Sequence, residues 1–360
     1  MDLELVLRDD EKAIFALREL YESYGYTQYK MSKFEEYDLY AINKEFLVSD
    51  NVITFTDTDG KLMALKPDVT LSIIKNGVDN GYGVQKVFYN ENVYRVSKGT
   101  KSFKEIMQAG LECFGAVDDY AKAEVIMLAL KSLQSICKEY VLDISNLDLV
   151  NAVFEKANLS SGARKQALTY LSQKNLNGII SVCESQCVSE NDTELLKALV
   201  STYGNVDKVS QALNQFKMDK KTTDALGKLV GTVKLLEKAG FSDKINVDFS
   251  VVSDLNYYNG LIFKGFISGV PTSILSGGQY DNLMQKLNKK SRAIGFAVYL
   301  DELSKIATNQ TFEVDVAIEY GEKQKEQVFE MVDSLIKQGK KVFADKKIAT
   351  NVRYNELIKL

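Results

Sequence analysis

Strand-patterned sequence falls into two blocks, and between them, from about residue 145 to about 240, nearly every segment is patterned as helix. A sheet assembled from both blocks has to accommodate that stretch as an insertion, which reads as an α+β fold. In the first block, Ile14, Phe15, Leu17, Leu20 and Tyr21 form an apolar stripe at helical spacing behind Asp9 and Asp10, and Gly25 stops it. From Val52 the period changes to two. VITFTD and KLMAL then read as a hairpin turning at Asp59 and Gly60, closed by Pro67, with Asp68 placed to cap a short helix through Leu71, Ile73 and Ile74. Two long strands, Val84 to Val96 and Phe103 to Gly115, flank a loop bearing Lys98, Gly99 and Lys101, and a helix from Tyr120 to Cys137 follows. SGARKQALTYLSQKN, DTELLKALVSTYG and TTDALGKLVGTVKLLEKAG are the helical segments of the insertion. Strands resume with KINVDFSVV, LIFKGFI, TSILSGGQYDNL and RAIGFAVYLDEL. The tail offers one β-α-β unit: VDVAIEYG, a helix near Glu322 to Lys337, and KKVFAD. The expected partition is 1–145 and 241–308 as the two parts of one core, 146–240 as insertion, and 309–360 as a short α/β segment.

What the chain lacks narrows its chemistry. With no histidine among 360 residues, a Ser-His-Asp triad, a Cys-His pair, an HExxH zinc helix and an imidazole base are all excluded. Cys113, Cys137, Cys183 and Cys187 are too few and scattered for a disulfide scaffold. Cys183 and Cys187 lie one helical turn apart without further ligands, so no metal site is expected. The formal charge of -4 lacks the surplus a nucleic-acid surface needs. Lys98, Lys101, Lys104, Lys286, Lys289, Lys290 and Arg292 therefore read as solvated charges. Neither a leader peptide nor a membrane-length apolar run is recognisable, and the expected location is the cytoplasm.

One strand carries a chemical pattern. Along IMQAGLECF, Met107, Ala109, Leu111 and Cys113 share one face, while Gln108, Gly110, Glu112 and Phe114 share the other. A glycine between an amide and a carboxylate clears space where a small ligand can lie against backbone. An antiparallel sheet with one solvated face gives the same alternation.

Five runs, VITFTDTDGKLMALKPDVTLSIIKN, VYRVSKGTKSFKEIMQAGLECFG, SDLNYYNGLIF, SGGQYDNL and AIGFAVYLDEL, resemble in order and spacing the motifs of histidyl-tRNA synthetase over roughly residues 9 to 308. The resemblance implies a class II aminoacyl-tRNA synthetase-like antiparallel sheet with flanking helices, a helical insertion and a small C-terminal α/β unit. It also implies a histidine pocket. Asp68 stands where the family has an acid near the substrate ammonium and Thr70 keeps a hydroxyl. Gln108 and Glu112 match the strand residues that hold histidine, Tyr257 and Tyr258 the paired tyrosines beside the imidazole, and Tyr280 the tyrosine of the glycine-rich segment. Arg95 keeps the arginine of the second motif and is available to the ligand carboxylate.

The nucleotide side departs from the family. Val96 and Ser97 follow Arg95 where an acid is expected, Ser253 replaces the catalytic arginine, Glu302 replaces the arginine that grips ATP, and Tyr299 fills a small position. Loss of two cations, one reversed in sign, removes several kcal/mol of phosphate stabilisation. Ser32 replaces the proline of the first motif, although Phe34 and Glu35 remain, so self-dimerisation through the core is still expected. The anticodon-binding domain is cut short. That outline resembles the non-catalytic branch of the family, regulatory subunits of ATP phosphoribosyltransferase. It implies a chain with no catalytic residue, cofactor or nucleic-acid partner, working in a hetero-oligomer with a short catalytic subunit and binding histidine as feedback ligand. A diverged synthetase or an ATP-dependent amino-acid ligase is the alternative.

Overall fold

The computed structural model describes residues 7–43, 52–77, 83–96, 102–252, 257–305 and 312–360. Ser97, Lys98, Lys101 and Ser253 lie outside the described residues. The chain divides into two compact units, Met1–Ile306 and Ala307–Leu360.

In chain order the first unit opens with α1 (Asp9–Ser23), β1 (Thr27–Gln28), β2 (Phe34–Glu36), α2 (Tyr37–Ile42), β3 (Thr54–Thr56), β4 (Leu62–Leu65) and α3 (Thr70–Asn76). It continues through β5 (Val84–Val96), β6 (Phe103–Gly115), α4 (Asp119–Ile136) and β7 (Tyr140–Asn146). The helical stretch supplies α5 (Leu147–Lys156), α6 (Ser161–Ser172), α7 (Leu176–Ser185), α8 (Glu190–Ser201), β8 (Tyr203–Gly204), α9 (Val206–Leu213) and α10 (Lys220–Leu236). Then come β9 (Ile245–Asp248), β10 (Asn259–Ile267), β11 (Leu275–Gln279), α11 (Asp281–Lys286) and β12 (Arg292–Tyr299).

Nine of these strands form one sheet in the order β1-β5-β6-β12-β11-β10-β7-β9-β8. Its middle, β5 to β7, is antiparallel, as expected, but parallel pairs adjoin it on both flanks, β1 with β5 and β7 with β9. The two blocks meet at β6 and β12, where Gly295 lies opposite Glu112 and Ala297 opposite Gly110. The hairpin of β3 and β4 forms with β2 a separate three-stranded sheet, turning through Asp57 to Gly60, where the left-handed φ of +82° suits glycine.

Local chemistry explains the helical stretch. Asn146, Ser160, Asn175, Ser189, Asn205 and Asp219 each accept a backbone N–H two or three residues on, starting α5 to α10 in turn. Each such cap contributes about 1 kcal/mol. The stretch is not separate from the sheet, because β8 pairs with β9 at its edge.

Both faces of the central sheet are covered. Ala109, Leu111 and Cys113 sink into the larger core with Leu17, Tyr21, Val125, Ala129 and Leu133 of α1 and α4. The solvated second face that alternation allowed does not exist: Gln108, Glu112 and Phe114 are buried too, and Phe114 joins a second core with Tyr89, Ile73, Ile74, Tyr280 and Met284. The short elements β2 to α3 fold back over that face, so polar residues there are enclosed rather than wetted.

The second unit contains β13 (Val314–Glu319), α12 (Lys325–Lys337), β14 (Val342–Asp345) and β15 (Tyr354–Lys359). The expected β-α-β is present, with β15 added in parallel on the far side of β13. Val316, Ile318 and Val328 form its own small core.

Candidate functional site

The site is built on three neighbouring strands and the start of one short helix. Pro67 ends the run of β4, and Asp68 then accepts a hydrogen bond from Leu71 N at 2.8 Å, opening α3 as a capping residue does. Ile73 and Ile74 anchor that helix in the second core. Its first residue, Thr70, thereby faces β6.

On β6 the alternation sends Gln108, Gly110 and Glu112 to the covered face. Thr70 Oγ1 donates to Glu112 Oε1 at 2.6 Å, and Tyr280 OH donates to Oε2 at 2.6 Å. The glycines make room for this. A side chain at Gly295 would collide with Glu112 Oε2, one at Gly110 would meet Tyr89 OH at 2.6 Å, and one at Gly278 would meet Tyr258 Cδ1 at 2.9 Å. Gly278, Gly295 and Glu112 are successive cross-strand partners on β11, β12 and β6.

Tyrosines form the opposite wall. The Tyr257 and Tyr258 ring centroids lie 4.5 Å apart, and Tyr257 lies 6.2 Å from Tyr280. Asp281 fixes the glycine-rich segment, because Ala293 N donates to its Oδ1 at 2.9 Å and Asn259 Nδ2 to its Oδ2 at 3.2 Å. Arg95, near the end of β5, donates from Nε to Pro67 O at 2.9 Å, beside Asp68.

Burial sets the protonation of these groups. It pushes the Glu112 carboxyl up to about 8; the Thr70 and Tyr280 hydroxyls oppose that rise and the Asp68 carboxyl adds to it. Asp68 is raised as well, chiefly by burial, with Leu71 N and Arg95 acting against it. Burial raises the phenols of Tyr257, Tyr258 and Tyr280, which remain neutral donors at ordinary pH. The set combines carboxyls for a cation, an arginine for a carboxylate, and hydroxyls for a polar ring.

The structure brings together Asp68, Thr70, Arg95, Glu112, Tyr257, Tyr258 and Tyr280, and places Gln108 beyond Gly110 on the same face of β6. Five participants have no part in the sequence reading. Lys66, whose side chain is wholly buried, pairs with Glu91 at 2.5 Å, and Glu91 is the cross-strand partner of Gln108. Tyr89 lies across Gly110, Asp281 holds the glycine-rich segment, and Gly295 seats Glu112. Only strand register reveals Tyr89, Glu91 and Gly295, but Asp281 stood in plain view beside Tyr280. Among the departures, Tyr299 OH pairs with Ser276 Oγ at 2.8 Å, and Glu302 accepts from Thr272 on the β10–β11 connection. Lys290, Ser291 and Arg292 line a cavity of about 330 Å³ with Gly115 to Val117. No described group of Cys, Asp and Glu side chains is arranged to hold a metal ion, and no described helix is long and apolar enough to cross a membrane.

Comparison with known proteins adds to this geometry. A family model described as Histidyl-tRNA synthetase matches residues 7–303. The ATP phosphoribosyltransferase regulatory subunit of Acetivibrio thermocellus is 27% identical over 340 residues, covering 91% of this chain and 81% of that one. Its counterpart in Caldanaerobacter subterraneus subsp. tengcongensis is 29% identical over 335 residues, covering 89% and 86%. Among solved structures, an ATP phosphoribosyltransferase regulatory subunit/histidyl-tRNA synthetase from Bacillus halodurans superposes with a TM-score of 0.76 at 21% identity, covering 98% of this chain and 93% of that one. A chain of the ATP phosphoribosyl transferase HisG:HisZ complex from Thermotoga maritima gives a TM-score of 0.64 at 16% identity, covering 83% and 98%.

Proposed function

We infer the role of the chain from one premise: it belongs to the histidyl-tRNA synthetase family. It serves as a non-catalytic regulatory subunit of ATP phosphoribosyltransferase, the chemistry being done by a short catalytic subunit with which it assembles. The similarity to regulatory subunits over 91% of the chain supports this, as does the outline of a HisG:HisZ assembly. Histidine is the ligand of the pocket. Its ammonium group lies between Asp68 and Glu112, its carboxylate faces Arg95, and its ring is held by Gln108, Tyr257, Tyr258 and Tyr280. The single observation that carries this reading is the convergence of Thr70 and Tyr280 on the buried Glu112 in a pocket that also contains Asp68.

Feedback follows if histidine binds the assembled states unequally, since a ligand with equal affinity for two states shifts neither. A coupling of about 1–3 kcal/mol corresponds to a difference of about 5- to 150-fold in the affinity of the two states for histidine. The nucleotide half supports the absence of catalysis: Tyr299 and Ser276 are bonded to each other, and Glu302 puts a negative charge where the family has an arginine. A second copy of the chain joins through the region of β2 and α2.

The test is reconstitution with the short catalytic subunit. The chain is expected to co-purify with it, to restore phosphoribosyl transfer, and to confer inhibition by histidine that Glu112→Gln weakens without undoing assembly. Histidine-dependent pyrophosphate exchange by the purified chain alone would overturn the non-catalytic reading.

A further inference from the structure

Strand register divides the covered face of the sheet into rows, because directly opposed residues of antiparallel strands share a face. One row joins Glu112 to Gly295 and Gly278. In the next, Tyr89, Gly110, Ala297 and Ser276 stand side by side. A third joins Glu91, Gln108 and Tyr299. From Glu112 to Gln108 is four residues of extended strand, roughly 13 Å. Glycines open the first two rows, and aromatic side chains lie down over them: Tyr258 leans over Gly278, and the Tyr89 hydroxyl over Gly110. The third row has no glycine. Tyr299, the last residue of β12, stands there with its hydroxyl tied to Ser276 Oγ at 2.8 Å in the row before. The Tyr89 phenol faces Tyr258 and Tyr299 as well as Glu112 and Asp68, and Tyr258 faces both Tyr299 and Arg95. Three phenols therefore meet at the end of the pocket away from Glu112, beside the arginine.

We propose that this wall, with Tyr299 as its specificity-determining residue, restricts the pocket to an amino acid whose carboxyl group is free. The ligand ends at its carboxylate, against Arg95. Tyr89 is 2% exposed, and its hydroxyl has no hydrogen-bond partner among the described residues, so it offers the carboxylate a second donor. Any group joined to that carboxyl, as an ester, an amide or a mixed anhydride with phosphate, continues into the third row and meets the Tyr299 ring. The ring moves aside only by giving up Ser276. Exclusion by a built-in clash is a general route to specificity. The chain thereby responds to the free amino acid and ignores the activated and esterified forms that a synthetase makes from it. This inference rests on histidine as ligand of the pocket, with its carboxylate toward Arg95, and adds which forms of histidine are recognised.

The experiment is calorimetric titration of the full chain, alone and with its catalytic subunit, using L-histidine, L-histidinamide and L-histidine β-naphthylamide. The amide removes the carboxylate charge with little added bulk, and the naphthylamide adds the bulk. In the wild type the naphthylamide is expected to bind at least about tenfold more weakly than the amide, a loss of at least one factor of ten for the clash alone. Tyr299→Gly is expected to bring the two within about threefold of each other. Should that variant fail to fold, Ser276→Ala, which frees the ring, is expected to lower the wild-type ratio about threefold. Equal binding of amide and naphthylamide by the wild type, or a ratio that neither variant lowers, overturns the proposal and leaves the ligand reading standing. Failure of the amide itself to bind would mean that charge alone selects, and overturns it too. Absence of histidine binding overturns both the proposal and the ligand reading.

Discussion

Two buried glutamates occupy opposite sides of the same sheet and are held in opposite ways. Glu124, on α4 against the larger core, is met by Lys86 Nζ at 2.6 Å, Tyr120 OH at 3.0 Å and Tyr26 OH at 3.5 Å. Glu112, on the other face, is met by two hydroxyls. The first has a counter-ion built in and closes a structural contact; the second has its hydrogen bonds satisfied and its charge not. Burial alone does not separate structural acids from functional ones. In the function proposed above, the difference lies in who supplies the opposite charge, the fold for Glu124 and a ligand for Glu112.

Four substitutions would break or sharpen this contrast, beginning with the largest effect. Leu111→Ala empties a fully buried position on the apolar face of β6 and is expected to cost about 2–5 kcal/mol in urea unfolding. Folded protein should still bind histidine; loss of binding in proportion to loss of stability would mean that the two faces are not independent.

Lys86→Met leaves Glu124 without its cation. Because Lys86 is a quarter exposed, the expected cost is about 2 kcal/mol, below that of a fully buried pair. The double variant with Glu124→Gln should recover most of it, and failure to recover would deny the ion pair its role.

Glu112→Gln is expected to act through pH. The folded protein keeps this proton up to about pH 8, whereas the unfolded chain gives it up near 4.5. Between those values the folded state binds more protons, so stability falls as pH rises, by at most ~1.4 kcal/mol per unit. The variant should flatten that slope between about pH 5 and 8. Equal slopes in thermal or urea unfolding would show that Glu112 titrates as an ordinary acid.

Thr70→Val removes one donor from Glu112 and is expected to cost about 1 kcal/mol, with the Glu112 titration moving further upward. Carboxyl NMR of the variant reads that shift directly, and a downward movement would contradict the stabilising role given to the hydroxyl.

Much of the fold was open to reading because its longest elements are its most regular. The limits of β5 and β6 coincide with the expected Val84 to Val96 and Phe103 to Gly115, and α4 differs from its expected span by one residue at each end. Asp68 starts its short helix as its side chain suggested. The strand β15 was missed because its apolar residues, Leu357 and Ile358, are adjacent, giving no alternation to find. β1 is two residues long and exists only through its pairing with β5. The site divides in the same way. The strand alternation singled out Gln108, Gly110 and Glu112, and family resemblance supplied the tyrosines and Arg95. The contacts that seat them, Gly295 under Glu112, Tyr89 over Gly110 and Lys66 on Glu91, depend on which strands become neighbours across the two blocks. That information is distributed over the whole chain.

The helical stretch begins within reach of the pocket. Asp148, in the first turn of α5, accepts a hydrogen bond from Gly260 N at 3.2 Å, and Gly260 stands two residues beyond Tyr258. The neighbouring amide, Leu261 N, is secured by Gln279 Oε1 at 2.9 Å, next to Tyr280. The tyrosine wall is therefore moored at its base to the outer helices. Anything that tugs on α5 must either snap that mooring or carry the wall along with it.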